Sequence, residues 1–234
     1  MNTLFLIPAR AGSKGIVKKN VREIGGKPLV VHSLLLARKF ATDDNICIST
    51  DDPDVIEAVE AEGYTVPFVR PDTLSTDSAS MRDVMLHALE HYAKKFISFE
   101  RLVLLQPTSP FRTRKNLLDA LSAYNPDIDM VVTVTESKAN PYFVLYEEDN
   151  YGHLVKSKKG TFVSRQECPK VWQLNGAIYV INTSSLVKSN LAEFRKIKKV
   201  EMDELHSIDL DNELDWKWAV FVNEEYKLLA SSNL

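Results

Sequence analysis

The feature that most constrains this chain is a rhythm. Short apolar runs of four or five residues alternate with stretches whose apolar positions recur at helical spacing. Residues 3–7 (TLFLI) read as a buried strand ended by Pro8, and residues 46–49, 66–69, 102–105 and 130–134 repeat the pattern. Between them, helices are expected from Pro28 through Leu34, Leu35 and Ala37, over 54–62 closed by Gly63, from Ser80 through Tyr92, and over 113–124. Strands and helices alternating in this way pack as an α/β fold: a mostly parallel sheet flanked by helices on both faces. The rhythm breaks once. Residues 142–146, a turn at 147–152 and residues 153–156 read as a β-hairpin that no βαβ unit requires. It resumes with a strand at 177–181, a short helix near Ser184, a strand near Val200 and a last helix from about Glu213. Residues 1–234 therefore read as a single domain with an inserted segment at 138–170.

Charge narrows the function. The 234 residues carry 29 Lys+Arg against 32 Asp+Glu, a net charge of −3, but the distribution is uneven. Residues 10–27 hold six bases (Arg10, Lys14, Lys18, Lys19, Arg22, Lys27) against Glu23, whereas residues 201–225 hold nine acids against Lys217. A nucleic-acid binder needs a broad basic face, which this balance does not supply. A small polyanion with its counter-ion fits better. No apolar run approaches the ~18 residues of a membrane helix, and no basic segment leads into a long apolar one, so a cytoplasmic protein is expected. Cys47 and Cys168 lack a CxxC partner and read as buried or incidental thiols. His87 and His91, four apart, could bind a metal but lie on a helix amid lysines, where a surface role is expected.

Three segments carry chemistry. The first is IPARAGSKG at 7–15, followed by Lys19 and Asn20. It leaves the first strand, where open α/β sheets bind ligands, and its small residues allow backbone N–H groups to approach phosphate oxygens while Arg and Lys neutralise them. It matches neither GxxxxGK[ST] nor GxGxxG, and a solvated basic loop is the plainer alternative. The second is QPTSPFR at 106–112, whose Gln106, Thr108 and Ser109 suit a hydroxyl-rich substrate or merely cap the next helix. The third is SIDLD at 207–211. On a strand, Asp209 and Asp211 would project to the same side and could share Mg²⁺ with substrate phosphates. Alternatively, the segment is an acidic turn in which Asp211 caps the last helix.

Taken jointly, these segments resemble the acylneuraminate cytidylyltransferases, the CMP-sialic acid synthetases and their relatives. The matching stretches are IPARAGSKG with KN at 19–20, KPLV at 27–30, STDD at 49–52 and RP at 70–71 with LSTDSAS. QPTSPFR at 106–112, NGAIY at 175–179 and SIDLDNELD at 207–215 complete the set. They stand in family order across nearly the whole chain, and look more like this branch than its Kdo-transferring relatives.

The resemblance implies a Rossmann-like fold of the nucleotide-diphospho-sugar transferase type. It implies transfer of CMP from CTP to the anomeric hydroxyl of a nine-carbon 2-keto sugar acid, with release of pyrophosphate. It assigns Arg10, Gly12, Ser13 and Lys14 to the CTP phosphates with Lys19 nearby, Asn20 and Arg70 to base and ribose, and Ser80 to the same pocket. Gln106, Thr108, Ser109, Arg165 and Asn175 become sugar contacts, Asp209 and Asp211 the Mg²⁺ ligands, and Arg10, Lys14 and Asp211 the catalytic groups. It also implies a homodimer in which the inserted segment forms the contact and lies over the partner's active site. Gln173-Leu174 stand where sialic acid enzymes often have Arg-Pro, 140–143 (NPYF) where some have Lys, and Val17 where Pro is common. Acceptors therefore include legionaminate-, pseudaminate- and Kdo-like acids beside N-acetylneuraminate. A non-catalytic CTP-binding sensor is the alternative of another class.

Overall fold

The computed structural model describes residues 2–231; Met1 and residues 232–234, which the single-domain reading includes, lie outside them. In chain order the elements are β1 (Thr3–Pro8), β2 (Glu23–Ile24), β3 (Lys27–Pro28), α1 (Leu29–Arg38), β4 (Ile46–Ser49), α2 (Pro53–Glu60) and α3 (Met81–Ala93). Then follow β5 (Arg101–Leu105), α4 (Arg114–Ala123), β6 (Met130–Glu136), β7 (Tyr146–Glu148), β8 (Leu154–Lys156), β9 (Trp172–Asn182) and α5 (Thr183–Lys188). β10 (Ile197–Glu201), α6 (Glu213–Tyr226) and α7 (Leu228–Ser231) complete the chain. No helix among the described residues is long and apolar enough to cross a membrane.

Six strands form one sheet in the order β10-β6-β9-β5-β1-β4. β1 pairs in parallel with β4 and β5, and β10 with β6, while β9 runs antiparallel between β5 and β6. Strands β1, β4 and β5 are buried on both faces, because alternate side chains meet helices on either side, whereas the edge strand β10 is mostly exposed. Phe5, Ile7, Val103 and Leu105 pack on one side with residues of α1, α2 and α4. Leu4, Leu6, Leu102 and Leu104 pack on the other with Met85, Ala88 and Tyr92 of α3 and Leu186 of α5. A third cluster joins Ile16, Leu29, Phe111 and Leu210 to Trp216 and Ala219 of α6. It draws the basic and acidic loops together at one end of the sheet.

The structure departs from the sequence pattern in four places. The strand expected at 66–69 reduces to one bridge, Thr50 to Val69, because Pro67 in its middle has no N–H for a ladder. The first hairpin arm shifts: the Asn140 side chain accepts from the Tyr142 N–H at 3.0 Å and folds 141–144 into turns, leaving β7 and β8 with three residues each. Residues 208–211 are irregular rather than a strand. Their backbone is tied elsewhere, the Leu210 N–H donating to the Thr108 carbonyl at 2.9 Å. Finally, His87 and His91 do not stand free among lysines. Their rings pack on Phe68 at centroid distances of 4.7 Å, and His87 Nδ1 and His91 Nε2 are buried without a partner. The loss of the 66–69 strand leaves Phe68 available to fill that space. Cys47 is buried in β4, which pushes its thiol up to about 12, and both cysteines are free.

Candidate active site

A cleft opens at the carboxyl ends of β1 and β5, the crevice where open α/β sheets place their ligands. It is lined by Pro8, Arg10, Ser13, Lys19, Asn20, Arg70, Met81, Gln106, Pro107 and Thr108. Backbone pairing builds its basic rim. The Ala9 N–H donates to the Ser49 carbonyl and the Ala11 N–H to Asp51 Oδ1, both at 2.9 Å, carrying β1's exit alongside β4. Asn20 Nδ2 donates to the Arg10 carbonyl at 3.0 Å and closes the loop on itself. Gly12 takes φ +68°, a left-handed conformation that favours glycine.

Two cations of the loop already hold an anion. Arg10 Nη2 and Lys14 Nζ each lie 2.5 Å from Asp77, one on each carboxylate oxygen. The Lys14 and Arg10 hydrogen bonds hold the Asp77 carboxyl below the usual range. Arg70 is buried, its guanidinium on the hydroxyl and carbonyl of Ser49, and desolvation lowers it to about 10. Ser80 caps α3, accepting from the Asp83 N–H at 3.1 Å.

The basic loop also reaches the acidic segment. Lys19 Nζ donates to the Leu210 carbonyl at 2.7 Å, and Arg22 binds both oxygens of Glu213 at 2.7 and 2.8 Å. Burial lowers the Lys19 ammonium, with Asp211 and Asp209 acting against it. The cap of α6 is Asn212, in a reciprocal box with Asp215. Asp211 does not serve as that cap, and its side chain is exposed beside Asp209. Asp209 is half-buried and its Oδ1 has no partner. Desolvation raises its carboxyl, Asp211 adds to the rise, and Lys19 opposes it. The Thr108 hydroxyl approaches without the alignment of a full hydrogen bond and offsets the rise in part.

The floor is a bulge in β9. The β6–β9 register jumps between Val132 and Val134, so residues 175–178 arch away from the ladder. Thr133 Oγ1 fills the gap, donating to Asn175 Oδ1 at 2.7 Å and accepting from the Ile178 N–H at 3.0 Å. Asn175 Nδ2 donates to Ser207 Oγ at 3.0 Å. Gly176 sits at φ +71°, and a Cβ there would lie 3.4 Å from Asp209 Oδ2 and 3.8 Å from Gln106 Oε1. Bulge, carboxyl and amide thus converge on one point.

Of the residues singled out in the sequence, Arg10, Ser13, Lys19, Asn20, Arg70, Gln106 and Thr108 line the cleft. Lys14, Asp209 and Asp211 do not line it: Lys14 shares Asp77 with Arg10, Asp209 lies near Gln106 at Gly176, and Asp211 follows two residues on. Ser109 is fully buried, its hydroxyl 3.5 Å from the Asn175 carbonyl, and the Asn175 amide is engaged within the protein at both ends. Arg165 is exposed on a helical turn of the inserted segment and does not line the cleft. Two further residues belong to the site. Asp77 has no sequence signal beyond its place in LSTDSAS, and Arg112, buried under the floor, has only its place at the end of QPTSPFR.

The sequence profile of the Cytidylyltransferase family matches residues 4–228. Among similar proteins, the post-translational flagellin modification protein B of Campylobacter coli is 32% identical over 97% of both chains. The CMP-N,N'-diacetyllegionaminic acid synthase of Legionella pneumophila is 30% identical, over 92% of this chain and 94% of its own. An Escherichia coli N-acylneuraminate cytidylyltransferase is 29% identical over 95% of this chain, which spans 52% of that protein. The solved structure of CMP:2-keto-3-deoxy-manno-octonic acid synthetase complexed with CTP superposes with a TM-score of 0.70, covering 97% of this chain and all of that one at 17% identity. It shares the fold.

Proposed function

This chain belongs to the cytidylyltransferase family, and from that premise we propose that it transfers CMP from CTP to the anomeric hydroxyl of an acylneuraminate-type sugar acid, releasing pyrophosphate. It is a CTP-dependent nucleotidyltransferase, as its named relatives are. One observation carries the reading of the site. A cationic loop and Gln106 line a cleft at the sheet's carboxyl edge, and beside Gln106, at Gly176, lies a carboxylate with an unpartnered buried oxygen.

In this reading Arg10, Gly12, Ser13 and Lys14 take the triphosphate with Lys19 beside them, Asn20 and Arg70 take ribose and base, and Ser80 edges the same pocket. Gln106 and Thr108 meet the sugar. Ser109 and Asn175, buried as they are, act by holding the bulge. The anomeric hydroxyl oxygen bonds to the α-phosphorus as that phosphorus's bond to the bridging oxygen breaks, pyrophosphate departing and the hydroxyl proton passing to water. The leaving charge gathers by Arg10 and Lys14, so their contribution is electrostatic and positional.

The donor set fits Mg²⁺. Asp209 offers an oxygen with no partner and Asp211 lies beside it, and one or two carboxylates plus substrate phosphates are what that hard cation takes. Bound there, it would neutralise charge on the departing pyrophosphate. Arg165 enters only if the chain is a homodimer whose 138–170 segment lies near the partner's cleft. The reaction is assigned to the cytoplasm. Among acceptors we favour an N,N'-diacetyllegionaminate-type acid, because relatives of matching length carry that name.

The test is pyrophosphate release with CTP and Mg²⁺ against N-acetylneuraminate, N,N'-diacetyllegionaminate, pseudaminate and Kdo. Release with a nonulosonate supports the reading. CTP binding without release on any acid overturns it in favour of a sensor. Asp211→Ala should remove turnover and keep the fold, and near-normal activity of that variant across a Mg²⁺ titration would sink the metal assignment.

A further inference from the structure

Arg112 is 2% exposed, yet no ion pair with a carboxylate is found for it among the described residues. Burying a guanidinium in this way is costly unless its donors are placed well. Nη1 donates to the Gln106 carbonyl at 2.6 Å and to the Ala177 carbonyl at 2.7 Å, and Nη2 bonds the Ser33 hydroxyl of α1. Nε has no partner. One side chain thus cross-links the exit of β5, the bulge of β9 and the helix beneath them. Both anchored carbonyls belong to the convergence already described, Gln106 itself and the neighbour of Gly176, which flank the Asp209 carboxyl.

The neighbouring carboxylate is left open: Asp209 keeps an oxygen without a partner, which a direct Arg–carboxylate fork would have occupied.

We propose that Arg112 is the positioning residue of the site: its fork sets Gln106 and the Gly176 bulge on either side of Asp209. The inference rests on the cytidylyl-transfer reading. It extends that reading to a residue that touches neither substrate. The planar fork is essential, since a lysine ammonium is a single point and cannot bridge two carbonyls and a hydroxyl in one plane.

The test uses the full-length protein with Arg112→Met, Arg112→Lys and Ser33→Ala. Steady-state kinetics give kcat and the acceptor KM, and electron paramagnetic resonance gives the Kd of Mn²⁺ in the presence of CTP. Arg112→Met should raise both the acceptor KM and the Mn²⁺ Kd tenfold or more. Ser33→Ala, which removes one arm and keeps both carbonyl bonds, should raise the KM about threefold and leave the Mn²⁺ Kd unchanged. If Arg112→Met does not fold, Arg112→Lys carries the same reading, with a tenfold rise in acceptor KM. Variants that lose thermal stability while KM and Mn²⁺ Kd of the folded fraction stay within twofold of the parent overturn the inference, leaving a structural arginine. Absence of turnover in the parent protein would instead defeat the reaction assignment.

Discussion

Gly15 and Asp211 meet backbone to backbone: a Cβ built on Gly15 would lie 1.8 Å from the Asp211 carbonyl oxygen. The contact joins the phosphate-side loop to the carboxylate-side loop. Gly15→Ala must separate them, and a backbone carbonyl cannot swing aside as a side-chain tip can. Overpacking of this kind typically costs ~1–3 kcal/mol. The variant is expected to remain folded, to melt at lower temperature and to lose most of its CTP affinity, measured by calorimetric titration. Unchanged affinity would show that the two loops act independently.

Asp77 occupies both Arg10 and Lys14. A triphosphate must displace it, so Asp77→Asn should tighten CTP binding. Pairs this exposed are individually weak, so the gain in affinity should be severalfold rather than orders of magnitude. The gain should shrink in 0.5 M salt, where surface charges are screened over about a few Å. Weaker CTP binding by the variant would instead give Asp77 a direct role in holding the nucleotide.

Lys14 is 78% exposed and its partner is Asp77, so its removal should spare stability. Lys14→Ala is expected to lower kcat/KM by about 100-fold, the scale of one lost electrostatic contact to a transition state. Its melting temperature should match the parent. A large shift in Tm would assign Lys14 to the scaffold.

Asp209 sits above the usual carboxyl value of 3.8 because burial disfavours its charge. A carboxyl with a raised native value binds its proton more tightly when folded. Its stabilising effect is therefore full below 3.8 and is lost as pH rises through the raised value. Asp209→Asn should abolish the Mg²⁺-dependent activity and yet, in metal-free protein at pH 7, raise Tm. The gain should fade as pH is lowered toward 4. A variant that melts earlier than the parent at pH 7 would contradict the burial account.

Much of the fold was legible because strands such as β1 and β5 are buried on both faces. Residues such as Leu4, Leu6 and Leu102–Leu105 had to be continuous apolar runs, whatever their neighbours. The direction of β9 was not legible, since periodicity carries no sign. Nor was the loss of the strand at 66–69, where one proline outweighs favourable neighbours. In the site, the basic loop and the paired aspartates announced themselves by charge. Arg112 did not, because a buried arginine and a surface one are the same letter, and only the carbonyls of Gln106 and Ala177 tell them apart. The resemblance assigns Asn175 to the sugar, whereas its hydrogen bonds with the Thr133 and Ser207 hydroxyls, which no sequence pattern announces, hold its amide within the bulge.

The inserted segment leaves the sheet at Glu136 and re-enters at Trp172, and these two residues are opposite rungs of one ladder, closed by the Ser137 N–H on the Val171 carbonyl. Beside that rung, the exposed Lys138 ammonium pairs with Glu204 at 2.6 Å. Lengthening the segment therefore costs the frame little beyond closure entropy, about 0.6 kcal/mol per doubling, and the surfaces it carries can vary while the sheet beneath keeps its shape.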